Sequence, residues 1–205
     1  MIRSVLLCVL LTCTAVHAAP APPSPATTPP GNAAKPAAQP RAVTSAALSM
    51  PLVRQTYNNC GAASLSMMLA YWGISATQTD ISPFVRATPK SYMPITTVAP
   101  YVARYNLRTS IVRNATINTI RNLVAAGLPA LVLSDLDAPG GIPHWRVASG
   151  FDDATGTMIF HDPMKGYVAF TYADFERLWV RHAHLLLVIH PDAQQQAVKH
   201  SVAAS

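Results

Sequence analysis

The chain has 205 residues, of which 50% are hydrophobic and 12% are charged, and its 15 Lys and Arg against 9 Asp and Glu give a net charge of +6. Its three cysteines, Cys8, Cys13 and Cys60, are too few for a small fold built on disulfides. The basic residues form no run with interleaved aromatic residues, so we expect no nucleic-acid partner.

The first 18 residues are typical of an export signal. Arg3 precedes a short apolar run over residues 5–16, and Val16 and Ala18 occupy the positions before a cut after Ala18. The run is shorter than the roughly 20 residues that a bilayer span needs, so we expect no stable membrane span. We predict a signal peptide over residues 1–18 and a periplasmic or extracellular protein. Lipid anchoring at Cys13 is the alternative.

Residues 19–48 are predicted to form a disordered linker. Residues 19–40 alone contain eight Pro and seven Ala, a composition that favours an extended, solvated chain. A single domain is then predicted over residues 49–192, because this length suits one compact core and leaves no room for a second. Residues 193–205 show no periodic pattern, so we predict a flexible C-terminal tail.

The first half of the domain has helical patterns. Leu65, Met68, Leu69 and Trp72 recur at helical spacing, and Gly73 follows as a helix terminator. We predict that this helix is the buried central one. Helices are predicted over residues 60–72, 77–86, 95–105 and 116–126, with a strand over 107–112.

The second half has strand patterns, interrupted by turns rich in Gly, Asp and Pro. Strands are predicted over residues 129–133, 145–151, 157–160, 167–170 and 185–189, with a last helix over 171–180. Helices that precede a mostly antiparallel sheet indicate an α+β fold.

Three side chains are candidates for covalent catalysis. Cys60 lies where the central helix begins, and the free N–H groups of a helix N-terminus favour a thiolate. His144 opens a predicted strand and is the best candidate for the base. Asp162 follows the next strand, so a hairpin brings it beside His144, where it could orient the imidazole.

Gln55 precedes Cys60 by five residues and could donate its side-chain amide to an oxyanion, together with the Cys60 N–H. Trp145 and Gly61 are candidates for substrate contact, although Trp145 could equally be a core residue. His161, His182 and His184 have no acidic or cysteine partner at ligand spacing, so we predict no metal site.

Three segments carry a resemblance to a known family. Residues 55–73, QTYNNCGAASLSMMLAYWG, resemble the nucleophile segment of papain-like cysteine peptidases related to the bacteriocin-processing, double-glycine-leader peptidases. Residues 144–152, HWRVASGFD, and 161–166, HDPMKG, are similar to that family's His strand and its Asp-Pro turn. Ala62 stands where many relatives have Pro, which is a preference of helix starts.

The resemblance implies a papain-like cysteine peptidase fold with Cys60 as nucleophile, His144 as base, Asp162 as orienting group and Gln55 in the oxyanion hole. Together with the predicted export signal, it implies an exported peptidase that acts on a peptide or protein without a cofactor, and we expect a monomer. The family's best-known members are fused to ABC transporters, whereas this sequence has no nucleotide-binding loop, so leader-peptide specificity does not carry over.

Two other functions are kept open. The first is amidase or acyltransferase work on cell-wall peptides, since peptidases of the NlpC type also place Cys before His. The second is a peptide-binding module that has kept the fold and lost turnover.

Overall fold

The computed structural model describes residues 43–205, which form seven strands, six α-helices and four short 3₁₀ helices. The predicted signal peptide and most of the predicted linker lie outside the described residues. The strands are β1 (Ser45–Ala47), β2 (Leu107–Val112), β3 (Ala130–Asp135), β4 (Pro143–Asp152), β5 (Thr157–Asp162), β6 (Gly166–Thr171) and β7 (Leu186–Pro191). The helices are α1 (Cys60–Tyr71), α2 (Gln78–Val85), α3 (Val98–Val102), α4 (Ile117–Ala125), α5 (Tyr172–Trp179) and α6 (Gln195–Ala203).

All seven strands belong to one sheet in which every neighbouring pair is antiparallel. Six of them follow the order β2-β7-β3-β4-β5-β6. The seventh, β1, pairs with the last three residues of β4, while β3 pairs with the first six. The ten-residue β4 is therefore the central strand and contacts three others.

Side chains alternate between the two faces of the sheet, as the two-residue period of a strand requires. Trp145 and Val147 of β4 join a core under α1, α2 and α3. Ala148 of the same strand joins a second core under α4, α5 and α6. The result is an α+β domain with helices on both faces of an antiparallel sheet. The predicted fold class is confirmed.

Helix α1 is the buried central helix that the sequence predicts. Ten of its twelve residues are buried, and a helix that is hydrophobic on all sides belongs inside a fold. It ends before Gly73, whose φ of +77° is the left-handed conformation that glycine adopts without strain.

Both ends of the predicted domain need correction. Residues 43–48 were assigned to the linker, but β1 forms there and Leu48 N–H donates to the Ser149 carbonyl at 2.7 Å. The small side chains of Ser45–Ala47 carry no strand pattern because the pairing uses backbone groups.

The sequence predicts a flexible tail over residues 193–205, but α6 forms there. Val198 and Ser201 are buried, and the helix packs against α4. Only these two side chains of α6 face the core completely, so the sequence gives a weak helical pattern. No helix of the described part of the chain is both long and apolar enough to cross a membrane.

Candidate active site

Cys60 is the first residue of α1, at the N-terminal end of this buried helix. Cys60 is 6% exposed, and the preceding Asn59 occupies the N-cap position. The first N–H groups of a helix have no acceptor within the helix. Ser64, one turn later, donates to the Trp145 carbonyl at 3.1 Å and so joins α1 to the strand that carries His144.

His144 is the second residue of β4 and is 2% exposed. Its Nε2 lies 3.0 Å from Asp162 Oδ1. The other ring nitrogen, Nδ1, is therefore the one available to the Cys60 thiol, which lines the same cavity as His144 and shifts the pKa of the imidazole. The structure thus brings the three predicted residues together at one site.

Asp162 ends β5 and is completely buried. Besides the His144 contact, its Oδ1 accepts the backbone N–H groups of Met164 and Lys165 at 2.8 and 2.9 Å. The pairing of Val147 with His161 sets the register that places Asp162 next to the His144 end of β4. The hairpin of β4 and β5, which the sequence predicts, therefore positions this carboxylate.

The three groups shift one another's pKa values. Burial alone would raise the pKa of Cys60, but the hydrogen bond and charge of His144 and the N–H groups of Trp145 and Gly61 lower it below its ordinary value. Burial would lower the pKa of His144, but Asp162 and Cys60 raise it. Opposite shifts in a thiol and an imidazole favour a thiolate–imidazolium pair.

The carboxylate end of the site is held ionised. Burial would raise the pKa of Asp162, but His144, the Arg146 charge and the Lys165 N–H together lower it to about 2. An ionised Asp162 is an acceptor only, so the Nε2–H of His144 must be the donor.

Gln55 lies on the loop that leads into α1. Its backbone N–H donates to the Pro163 carbonyl at 2.9 Å, which joins this loop to the turn after Asp162. Its side chain lines the same cavity as Cys60 and His144. Its Oε1 is buried and has no hydrogen-bond partner among the described residues.

Gln78, the first residue of α2, makes hydrogen bonds to the loop that carries Gln55. This role is not predicted from the sequence. Its Oε1 accepts from the Thr56 N–H at 2.8 Å and from Asn59 Nδ2 at 3.0 Å. Its Nε2 donates to the Arg54 carbonyl at 2.7 Å. A Gln at a helix start has no pattern that distinguishes such a role from that of a solvated side chain.

The site opens into a cavity of about 560 Å³ that is partly open to solvent. Cys60, His144 and Gln55 line it together with Arg54 and the loop before His144. Its rim carries the exposed apolar side chains of Tyr57, Tyr92, Ile142 and Met164. The cavity is large enough for several residues of an extended peptide.

Trp145 and Gly61 are not placed as substrate contacts, and this prediction needs correction. Trp145 is 3% exposed, packs in the core under α1 and donates its indole N–H to the Met93 carbonyl at 3.2 Å. Gly61 is buried against Met93, whose Cβ lies 2.6 Å from the position a Gly61 Cβ would take. Residue 145 points to the opposite face of β4 from His144, as strand alternation requires.

The three histidines considered as metal ligands each have a protein partner. His182 Nε2 contacts Asp135 Oδ1 at 2.8 Å, and His184 contacts Glu176 at 2.5 Å. His161 lies between the Ser149 hydroxyl and the Met50 carbonyl. Over residues 43–205 no three His, Cys, Asp or Glu side chains are grouped as metal ligands would be.

Two comparisons relate the chain to known proteins. The sequence model described as "Peptidase_C39 like family" matches residues 47–185, more than half of the chain. No curated protein gives a significant match.

Solved structures share the fold at low sequence identity. A double-glycine-motif protease domain from an AMS/PCAT transporter, solved in complex with its leader peptide, is 22% identical with a TM-score of 0.57, over 71% of this chain and 94% of that one. A C39-like peptidase from Bacillus anthracis is 17% identical with a TM-score of 0.57, over 71% and 96%. The peptidase domain of Streptococcus ComA, a bifunctional ABC transporter, is 14% identical with a TM-score of 0.58, over 71% and 99%.

Proposed function

Since the chain belongs to the Peptidase_C39-like family and is a cysteine peptidase, we propose that it hydrolyses peptide bonds through Cys60, His144 and Asp162, with Gln55 in the oxyanion hole. The observation that carries the proposal is the position of Cys60 and His144 in one cavity, with His144 Nε2 held 3.0 Å from the buried Asp162 Oδ1. This order of nucleophile, base and orienting group is the arrangement that covalent acyl transfer needs.

In the first step the Cys60 thiolate attacks the carbonyl carbon of the substrate and forms a C–S bond. The carbonyl oxygen takes up the negative charge, and the Gln55 amide and the Cys60 N–H stabilise it. The Gln55 side chain lines the cavity beside Cys60, which supports this role.

In the second step the C–N bond breaks, and the His144 imidazolium gives its proton to the leaving amine. Neutral His144 then takes a proton from water, the hydroxide attacks the acyl carbon, and the C–S bond breaks to release the acid and restore the thiolate. Asp162 keeps the Nε2–H of His144 directed away from Cys60, so that Nδ1 is the nitrogen that exchanges protons.

The proposal is tested by the reactivity of Cys60. Iodoacetamide should modify Cys60 at pH 6 much faster than an unperturbed thiol, since the ion pair keeps the sulfur deprotonated there. Mass spectrometry of the peptide that contains Cys60 gives the rate. A Cys60 that reacts at the rate of an ordinary thiol, or a His144→Ala variant with unchanged reactivity at pH 6, would contradict the assignment.

The substrate is proposed to be a peptide or protein met outside the cytoplasm. N-terminal mapping of the exported proteome, with the wild-type protein and with Cys60→Ala, should show new N-termini that depend on Cys60. Cell-wall fragments that change without any new protein N-terminus would instead indicate the amidase alternative.

Export itself is proposed from the N-terminal 18 residues. Intact-mass measurement of the protein recovered from the producing cell should give a chain that begins at Ala19. A chain that retains Arg3 would contradict cleavage of the signal, and a lipid-modified Cys13 would identify the anchored alternative.

A further inference from the structure

Arg146 is a buried charge two residues after His144 on β4, and the mechanism above does not use it. Its side chain is 0% exposed. Burying a guanidinium costs several kcal/mol unless its surroundings compensate, and an apolar side chain of similar size is commonly as stable in such a place. Packing alone therefore does not explain an arginine here.

The guanidinium lies against the carboxylate that holds His144. Arg146 Nε is 3.4 Å from Asp162 Oδ2, while Asp162 Oδ1 is the oxygen that contacts His144. Neither Asp162 Oδ2 nor the Nε and Nη1 atoms of Arg146 has a geometrically good hydrogen bond among the described residues. The contact is thus one of charge with charge, and it leaves Oδ1 free for His144 and the two backbone N–H groups.

The other end of Arg146 is anchored to the edge of the cavity. Its Nη2 donates to the Leu136 carbonyl at 2.9 Å and to the Asp135 carbonyl at 3.3 Å, and Leu136 lines the cavity. The rings of Phe170 and Phe160 face the guanidinium, with centroids 5.1 and 5.9 Å from its Cζ. These contacts fix the charge in one position.

The charged and titratable groups around Arg146 come from several elements. Asp162 faces it from β5, His144 from its own strand, Cys60 from α1 and Asp137 from the β3–β4 loop. The Asp135 carboxylate, beside the carbonyl that Arg146 binds, is already bound by Arg181, His182 and the Gly140 N–H. Asp137 is paired with Lys165.

We propose that Arg146 is a positioning residue of the active site, whose buried charge holds the Asp162 carboxylate in place and sets the pH range over which Cys60 and His144 form their ion pair. The inference rests on the function proposed above. A fixed positive charge stabilises the anionic forms of Cys60 and Asp162 and disfavours the protonated form of His144. Its removal should therefore raise the pKa of all three groups.

The test follows the alkylation rate of Cys60 by iodoacetamide against pH in the full chain, read by mass spectrometry. Arg146→Met and Arg146→Gln should move both inflections of the profile upward by about one pH unit, which corresponds to a roughly tenfold slower reaction on the acid side. Arg146→Lys, which keeps the charge, should leave both inflections near their wild-type pH even where it lowers thermal stability.

Arg121→Met is the matched control. Arg121 also pairs with an aspartate, Asp153, and also lies over a phenylalanine ring, that of Phe151, but it does so away from the cavity. Its loss should lower stability without displacing the profile. Either neutral Arg146 variant suffices, provided that circular dichroism shows it folded.

Unchanged inflections in a folded neutral variant, or an equal shift in Arg146→Lys, would overturn the proposal while a fast wild-type reaction at pH 6 left the proposed function standing. Failure of both neutral variants to fold, with Arg146→Lys folded and unchanged, would also overturn it, since the charge would then serve the fold alone. A wild-type Cys60 that reacts slowly at pH 6 would instead contradict the proposed function.

Discussion

His144 lies between two groups of the site: its Nε2 contacts Asp162, and Cys60, which lines the same cavity, raises its pKa. The position of such a side chain depends on residues that are distant in the sequence and meet only in the fold. The sequence nevertheless predicts all three residues of the site, because each occupies a position that can be recognised locally. These positions are a Cys at a helix start, a His at a strand start and an Asp after the next strand.

Gln55 is predicted to act only after the thiolate has attacked. Gln55→Ala should lower kcat about 10²- to 10³-fold, the usual cost of an oxyanion donor, and should leave the iodoacetamide reactivity of Cys60 within about twofold. Gln196→Ala, on the exposed side of α6, is the control. Equal losses of turnover and alkylation would show that Gln55 instead supports the thiolate.

Asp162 is predicted to make stability depend on pH in the acid range. Because its pKa is about 2 in the folded protein and 3.8 ordinarily, the unfolded chain takes up the proton first as the pH falls. About 2 kcal/mol of stability is thus present above about pH 4 and lost as the pH approaches 2.

Urea unfolding of the wild type and of Asp162→Asn between pH 7 and pH 2.5 measures this contribution. The difference between their free energies of unfolding should shrink as the pH falls. Asp174→Asn removes an exposed carboxylate and serves as the control. A difference that stays constant with pH would contradict the assignment.

At the level of elements, α1 and β4 are joined where the site needs rigidity. The Ser64 bond to the Trp145 carbonyl and the close approach of Gly61 to Met93 hold the helix start against the strand and the loop before α3. Met93 in turn accepts the Trp145 indole N–H. Gly61 is therefore required by packing rather than by contact with substrate.

Gly61→Ala is predicted to destabilise the protein by roughly 1–3 kcal/mol, because its Cβ would overlap Met93 Cβ, which is fixed to the backbone. In a Met93→Gly background the overlap disappears, so the same substitution should cost less there. Thermal and urea unfolding of the four proteins in this cycle gives the coupling. Equal costs in the two backgrounds would show that Met93 is not the obstacle.

The elements also show where the sequence is a poor guide. Helix α1 is well predicted because its apolar residues and Gly73 agree with each other. Gln78, Arg146 and α6 are missed for a different reason: their roles come from tertiary contacts with the Gln55 loop, Asp162 and α4. The sequence does contain one indication that Arg146 has a special role. It is a charged residue inside the apolar strand HWRVA, where an unpaired arginine would be costly.

At the level of the whole described domain, the sheet separates two cores, and the residues of the site meet at one end of β4 and β5. The other end of β4 is bound by β1. The cavity therefore lies at one end of β4, and the N-terminal segment joins the sheet at the other end.

This arrangement predicts different effects of two N-terminal deletions. Removal of residues 1–48 should lower the free energy of unfolding by roughly 2–4 kcal/mol relative to removal of residues 1–42, since each backbone hydrogen bond contributes about 1 kcal/mol net. Cys60 alkylation at pH 6 should be the same in both folded proteins. Equal stability of the two would show that β1 contributes nothing.

The pairing of β1 with β4 also has a mechanical consequence. A pull on the chain from the N-terminal side of Val43 would act first on the three residue pairs between Ser45–Ala47 and Gly150–Asp152. Those pairs lie at the opposite end of β4 from His144, and Leu48 and Met50 follow them before the Gln55 loop is reached. The short strand β1 would therefore separate from β4 first, while the geometry around Cys60 stayed intact.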